Sequence, residues 1–205
     1  MIRRELSGDA LAILTIDRPD KANSLTGAML RDLIAHLDDL AAGSRAVVLT
    51  GAGKVFSAGA DLAEAKAGLA TAPEWERLSS RIAAMPGLTI AALNGTLAGG
   101  AFGMALACDL RLSVAEAKFF YPVMKLGFLP QPSDPPRLVR LVGPARAKMI
   151  LMAGQKIAAA EALDWGLIDR IVAPEALLDS AAQLATDCLA ASPAHVAAIK
   201  AMCQP

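Results

Sequence analysis

Twice in this chain a short apolar run ends in a glycine-rich turn, and that repetition restricts the folds open to it. Ala46-Val47-Val48-Leu49-Thr50 runs into Gly51-Ala52-Gly53-Lys54, and Phe56-Ser57-Ala58-Gly59-Ala60-Asp61-Leu62 follows. Leu88-Thr89-Ile90-Ala91-Ala92-Leu93 runs into Asn94-Gly95-Thr96-Leu97-Ala98-Gly99-Gly100-Ala101-Phe102-Gly103. Short apolar runs bounded by turn signals read as buried strands. Leu11–Ile16, stopped at Asp17-Arg18-Pro19, and Leu110–Val114 read the same way. Leu30, Leu33, Ile34, Leu37 and Leu40 recur at helical spacing behind the capping residues Asn23–Thr26, which predicts an amphipathic helix over 26–42. Residues 74–84 also read as helix, and Gly100–Cys108 as a buried one. Tyr121–Pro136 is rich in proline and predicts an irregular loop. From Pro144 onward the pattern is helical, with breaks at Gly154 and near Pro174. Strands in the first part and helices in the last exclude an all-β fold and predict a layered α/β or α+β domain.

Composition narrows the class further. Hydrophobic residues make up 55 % of the 205, which suits one domain with a full core rather than a disordered chain. Lys+Arg and Asp+Glu both number 20, so no broad basic field for nucleic acid is expected. Aromatics at 4 % speak against a base-stacking platform. Cys108, Cys188 and Cys203 are widely spaced with no C-x-x-C, so neither a disulfide framework nor a metal site is expected. The apolar stretch Ile90–Ala107 is interrupted by Asn94 and four glycines, so no membrane span is expected, and the chain is expected to be cytoplasmic.

The glycine-rich turns carry the chemistry. Small residues let a ligand approach the backbone. The second turn opens a helix, whose first N–H groups lack internal partners and attract an anionic oxygen. Tight packing alone also accounts for such glycines. Gly51-Ala52-Gly53-Lys54 is a poor phosphate loop, since it lacks the full spacing and has Val55 where a hydroxyl belongs. Ser57 is not in a G-x-S-x-G setting, and His36 and Glu64 read as helix-surface residues.

The flanks of these turns resemble the enoyl-CoA hydratase/isomerase family, the crotonase superfamily, over essentially the whole chain. The resemblance is carried by Ile16–Leu25, by Val48–Gly51 through Phe56–Leu62, and by Asn94–Gly100 with Cys108–Arg111. Lys118–Pro130 and Ala159–Asp169 continue it in family order. It implies a crotonase-type spiral of ββα units with an α-helical C-terminal part. Residues 1–190 would form the acyl-CoA-binding core and 191–205 a shortened helical segment. It implies an acyl-CoA thioester as partner, with coenzyme A entering as part of the substrate and no separate cofactor. It also implies a homo-oligomer, a trimer or hexamer. The thioester carbonyl would lie between the backbone N–H groups of Ala58 and Gly100, an oxyanion hole that stabilises developing charge without reorganising. Ala60, Asp61 and Leu62 would lie along the coenzyme, with Lys21, Ala22 and Arg18 near its nucleotide end.

The chain departs from this pattern where the family's hydratases carry their two glutamates. Gly103 and Val123 occupy those positions. Neither moves a proton, so chemistry other than ordinary hydration is expected: isomerisation, decarboxylation or thioester hydrolysis. A catalytically inactive acyl-CoA-binding or regulatory protein is the alternative. Asp134 is a candidate acid or base, against a turn-capping role before Pro135-Pro136. Tyr121 is a candidate acyl contact, against a core aromatic with a satisfied hydroxyl.

Overall fold

A computed structural model describes residues 1–8 and 10–203. Its organising feature is a strand pair used three times. β3 (Ala46–Gly51), β5 (Leu88–Leu93) and β7 (Leu110–Ser113) lie side by side and parallel in a large sheet. Each is followed at once by a short strand: β4 (Val55–Ser57), β6 (Thr96–Ala98) and β8 (Lys118–Phe120). Those three pair in parallel in a second sheet, which β9 (Ile157–Ala158) closes antiparallel. The large sheet is completed by β1 (Ile2–Ser7), β2 (Leu11–Ile16) and β10 (Arg170–Ile171), in the order β1-β2-β3-β5-β7-β10. This is the mixed α/β spiral that the resemblance implied.

Helices cover the sheets. α1 (Gly27–Leu40) starts where Thr26 Oγ1 accepts from Met29 N–H, and buries Met29, Leu30, Leu33, Leu37 and Leu40. α2 (Leu62–Lys66) and α3 (Glu74–Ala83) follow β4, and α4 (Ala101–Ala107) follows β6. α4 is buried along its whole length, as its small and apolar composition requires. β1 and the short strands escaped the sequence reading. β1 is an edge strand with one buried residue, and strands of three residues carry too little periodicity to register.

The expected loop over 121–136 is instead partly helical. α5 (Val123–Leu126) is a single turn, and α6 (Asp134–Leu151) begins inside the proline cluster. Pro135 and Pro136 sit in its first turn, where a missing N–H costs nothing and the fixed φ favours helix. The later Pro144 is tolerated because Gly143, at φ 78°, breaks the helix there. α7 (Ala159–Trp165), α8 (Leu177–Leu184), α9 (Thr186–Ala190) and α10 (Pro193–Met202) complete the chain. Arg111, 4 % exposed, ties this part to the sheets by donating to Leu167 O at 3.0 Å and Cys108 O at 2.7 Å. α10 is fastened by Lys200 Nζ, 2.7 Å from Asp109 Oδ2.

The step from large to small sheet is steric. A Cβ placed on Gly95 would lie 2.0 Å from Lys54 O and 2.6 Å from its carbonyl carbon. Both neighbours are backbone atoms, so the two hairpin-like corners pack only if residue 95 has no side chain. Gly95→Ala is expected to destabilise the protein by roughly 1–3 kcal/mol or more, the usual range for overpacking. Thermal unfolding followed by circular dichroism checks this, and an unchanged midpoint would contradict the steric argument.

Candidate active site

Three turns leave the small sheet at one end, because β4, β6 and β8 run parallel. They are residues 58–60, 99–100 and 121–123. The first two touch. A Cβ on Gly59 would lie 3.0 Å from Ala98 O, 3.2 Å from Gly99 Cα and 3.3 Å from Gly100 N. Gly59 and Gly99 also hold φ of 93° and 59°, a region that L side chains rarely adopt. Conformation therefore favours glycine at both positions, and crowding adds to it at Gly59.

Most N–H groups at this junction are already bonded. Ala58 N donates to Ala22 O at 3.0 Å, Asp61 N to Leu25 O at 2.8 Å and Gly99 N to Phe120 O at 3.2 Å. Gly59 N is bonded to Ser57 Oγ at 3.2 Å. Among the described residues, Ala60 N and Gly100 N donate to nothing. The expectation that Ala58 supplies a free donor is thus corrected. Residues 58–61 run beside 22–25 in a strand-like pairing, which consumes the N–H groups of residues 58 and 61. Ala60, between them, keeps its own. No sequence signal marks this difference, since it is a property of the pairing partner. Gly100 keeps its N–H because it is the N-cap of α4.

Ala60 and Gly100 both line a chamber of about 150 Å³, walled also by Trp75, Tyr121, Val123 and Leu126. Larger voids of about 610 Å³ lie elsewhere, one beneath α10 and one beside Arg137 and Arg140, away from this N–H pair. The Trp75 ring covers Gly100, 3.0 Å from where a Cβ would be, and its Nε1–H is donated to Leu69 O at 2.9 Å. Tyr121 is then the only lining residue with a side-chain oxygen. Val123 presents an apolar wall.

Comparison with known proteins shows the family. A sequence model of the family described as Enoyl-CoA hydratase/isomerase matches residues 7–204. The chain belongs to that family. It is 38 % identical over 210 residues to carnitinyl-CoA dehydratase of Salmonella arizonae, covering 97 % of this chain and 78 % of that protein. It is 34 % identical over 194 residues to the short-chain-enoyl-CoA hydratase of Clostridium acetobutylicum, covering 91 % and 74 %. The crystal structure of enoyl-CoA hydratase from Bacillus anthracis superposes with a TM-score of 0.90 at 31 % identity, over 97 % of this chain and 80 % of that one. Members of the enoyl-CoA hydratase/isomerase family act on acyl-CoA, and this chain has the fold to do so.

The remaining residues expected from sequence divide into those the fold gathers at the junction and those it spends elsewhere. Arg18 Nη1 bonds Asp61 Oδ2 at 2.8 Å and Ser24 O at 3.2 Å, which clamps the first turn to residues 18–25. Asp61 also accepts from Ala63 N and Glu64 N as the N-cap of α2. Its bond from Arg18 holds its pKa below the usual carboxylate value, with the backbone bonds adding to the effect. Leu62 is 81 % exposed, Lys21 is exposed and Ala22 half-buried beside it. Glu64 faces neither ligand nor water alone, since its Oε2 accepts from Gly27 N at 2.7 Å and fastens the start of α1. Ser57 Oγ donates to Asn23 O at 2.8 Å, a structural bond.

Asp134 is not the turn-capping residue that its proline neighbours suggest. It is 1 % exposed, and its Oδ2 accepts from Tyr121 Oη at 3.0 Å. Its Oδ1 has no hydrogen-bond partner among the described residues. It lies against α4 at Gly103, where an added Cβ would come within 2.5 Å of Oδ1. The absent side chain at residue 103 is what makes room for this carboxyl. Burial pushes the Asp134 pKa up to about 7, the Tyr121 bond and the Arg137 charge oppose the rise, and Glu76 adds to it. Burial also pushes the Tyr121 phenol up, with the nearby Asp134 charge adding to the rise.

The raised value has a consequence for stability. Between the unfolded value of 3.8 and the folded value of about 7 the native state holds the proton more tightly. Asp134 therefore favours folding at low pH, and that share is lost as pH rises through about 7. Asp134→Asn keeps the shape without the charge. The variant is expected to melt higher than the parent at pH 8, by up to about 4 kcal/mol of stability, with little difference from it at pH 4. Paired thermal melts at the two pH values test this, and equal differences at both would contradict it.

Proposed function

We propose that this protein binds an acyl-CoA thioester with its carbonyl oxygen between the N–H groups of Ala60 and Gly100. The observation that carries the reading is that these two donors, alone in the touching turns, have no partner among the described residues, and that both residues line one chamber. Charge that builds on a thioester oxygen as an enolate forms is stabilised by fixed dipoles that need no reorganisation. Gly100 adds the positive end of a buried helix. Asp61, Leu62, Lys21 and Ala22 continue from this junction along one surface, which suits the coenzyme. The chamber, at about 150 Å³, is below the ~300–1,000 Å³ usual for a drug-sized ligand and suits a short acyl group.

The reaction we favour is one other than paired-carboxylate hydration, with isomerisation first. Gly103 and Val123 bring no carboxylate to the chamber lining. Chemistry that takes a proton from one carbon and returns it to another needs a single acid–base device, whereas hydration by two carboxylates needs both. An acyl-CoA-binding protein without chemistry keeps the same N–H pair and differs only in having no proton traffic.

Calorimetry with acetyl-, butyryl- and decanoyl-CoA tests the binding. The short thioesters are expected to bind and free CoA to bind more weakly. Difference infrared spectroscopy of a carbonyl-labelled thioester is expected to show the band moving to lower frequency on binding. No binding by any thioester, or an unshifted carbonyl band, would remove the reading. For the reaction, crotonyl-CoA is expected to lose its enoyl absorbance about 10²–10⁴-fold more slowly than general acid–base catalysis by a positioned pair would allow. Rapid hydration would sink the non-hydratase assignment and leave the binding intact.

A further inference from the structure

Tyr121 is the one residue lining the chamber that carries a side-chain oxygen, and that oxygen is bonded to a buried carboxyl, 3.0 Å from Asp134 Oδ2. Tyr121 is held in place by stacking on Phe102, with ring centroids 5.7 Å apart and planes 23° from parallel. Phe102 and Gly103 follow Gly100 in α4, so Asp134 sits against that helix about one turn, roughly 4.5 Å, beyond the free Gly100 N–H. A buried carboxylate oxygen with no partner carries a desolvation cost, which structures usually avoid. Neither the coenzyme surface nor the core packing accounts for it.

We propose that Tyr121 and Asp134 form a proton relay into the acyl chamber, with Tyr121 exchanging the proton with the thioester's carbon chain and Asp134 storing it. The inference rests on the acyl-CoA reading above. Tyr121 is the catalytic residue of the pair, and Asp134 acts through it as a positioning and proton-storing residue. The hydrogen bond between them couples two states. With Asp134 ionised, the phenol hydrogen points at Oδ2 and the oxygen lone pairs are left for the chamber. With Asp134 protonated, its own hydrogen points at Tyr121 Oη and the phenol hydrogen is released toward the chamber. One lining atom thus serves as acceptor or donor. Both states are populated near neutral pH, since Asp134 titrates at about 7. The charged and titratable groups around it are Tyr121 beyond β8, Glu76 on α3 and Arg137 on α6; α4 contributes only Gly103 at the contact.

The step balances without a further reactant. For a 3-enoyl thioester, the C2–H bond breaks and its proton goes to Tyr121 Oη as the phenol proton passes to Asp134 Oδ2. The C2–H electron pair forms the C1=C2 bond as the carbonyl pair moves onto the thioester oxygen at Ala60 and Gly100, and C3=C4 stays in place in the extended enolate. The oxygen pair then restores the carbonyl, the C1=C2 pair moves to C2=C3, and the C3=C4 pair takes a proton from Tyr121 at C4 as Asp134 returns its proton to Tyr121, giving the 2-enoyl thioester. Nothing is oxidised or reduced.

The test is conversion of 3-butenoyl-CoA to 2-butenoyl-CoA by the full chain, read by the gain of enoyl-thioester absorbance, with calorimetric binding of the same thioester measured alongside. The parent is expected to yield 2-butenoyl-CoA, with a rate that rises through pH about 7 as Asp134 ionises. Tyr121→Phe keeps the stacking and is expected to lose conversion by about 100-fold or more. Asp134→Asn is expected to lose a similar factor and to flatten the pH profile, a change that loss of packing alone does not produce. If Asp134→Asn melts below the assay temperature, Tyr121→Phe decides by itself. Conversion at the parental rate in Tyr121→Phe, or in a folded Asp134→Asn, overturns the relay. A parent that binds 3-butenoyl-CoA without converting it to 2-butenoyl-CoA also overturns it and leaves the acyl-CoA reading standing. A parent that binds no thioester overturns both.

Discussion

Parallel hydrogen bonding between β4, β6 and β8 fixes the spacing of three turns that lie far apart in the sequence. Leu97 pairs with Ser57 on one side and Phe119 on the other, so the strands finish almost level. The chain after each strand must then turn within the same small volume. Two of the turns meet backbone to backbone at Gly59 and Gly99, where a Cβ on Gly59 would crowd Ala98 O and Gly99 Cα. Everything proposed for the chamber depends on this meeting. It brings Ala60 and Gly100 to one chamber, and Tyr121 joins them from the third turn. A shift of one residue in either parallel register would exchange the faces of the strand and break the junction.

The repeated strand pair also explains the economy of the large sheet. β3, β5 and β7 are buried on both faces and carry apolar residues almost without interruption, as parallel strands covered by helices do. The polar groups they bury are used to tie neighbouring units. Thr50 Oγ1 donates to Ala92 O at 2.9 Å, and Asn94 Oδ1 accepts from Gly51 N at 3.0 Å. Asn23, fully buried, donates to Ala52 O at 2.8 Å and Val55 O at 2.6 Å. These bonds hold the corners from which the short strands depart, so the precision of the N–H pair is built into the scaffold and not into the turns themselves.

The chamber is electrostatically simple. Two backbone dipoles face an apolar space, and one phenol backed by one carboxyl provides the polar side-chain group. Burial raises Asp134 far enough to keep it partly protonated near neutrality, whereas the equally local Asp61, paired with Arg18 at the surface, is held down. The contrast between two aspartates of one site comes from their surroundings alone: one has lost water and gained a phenol, the other keeps water and has gained a cation.

The sequence by itself determined the α/β class, the principal strands of the large sheet, the helix after Thr26 and the family, because apolar runs, capping residues and glycine turns are local signals. It also identified Gly100, Gly103, Val123, Tyr121 and Asp134 as the positions to weigh. It did not separate Ala58 from Ala60, because which N–H is free depends on the partner strand at 22–25, and residue type says nothing of that. The helix start at Asp134 was hidden inside a proline cluster that reads equally as a loop. That Asp134 meets Tyr121 across thirteen residues, in space vacated at Gly103, was decided only by tertiary structure. A missing side chain leaves no trace in sequence of what will fill it, since the filling group arrives from another element and is placed by packing.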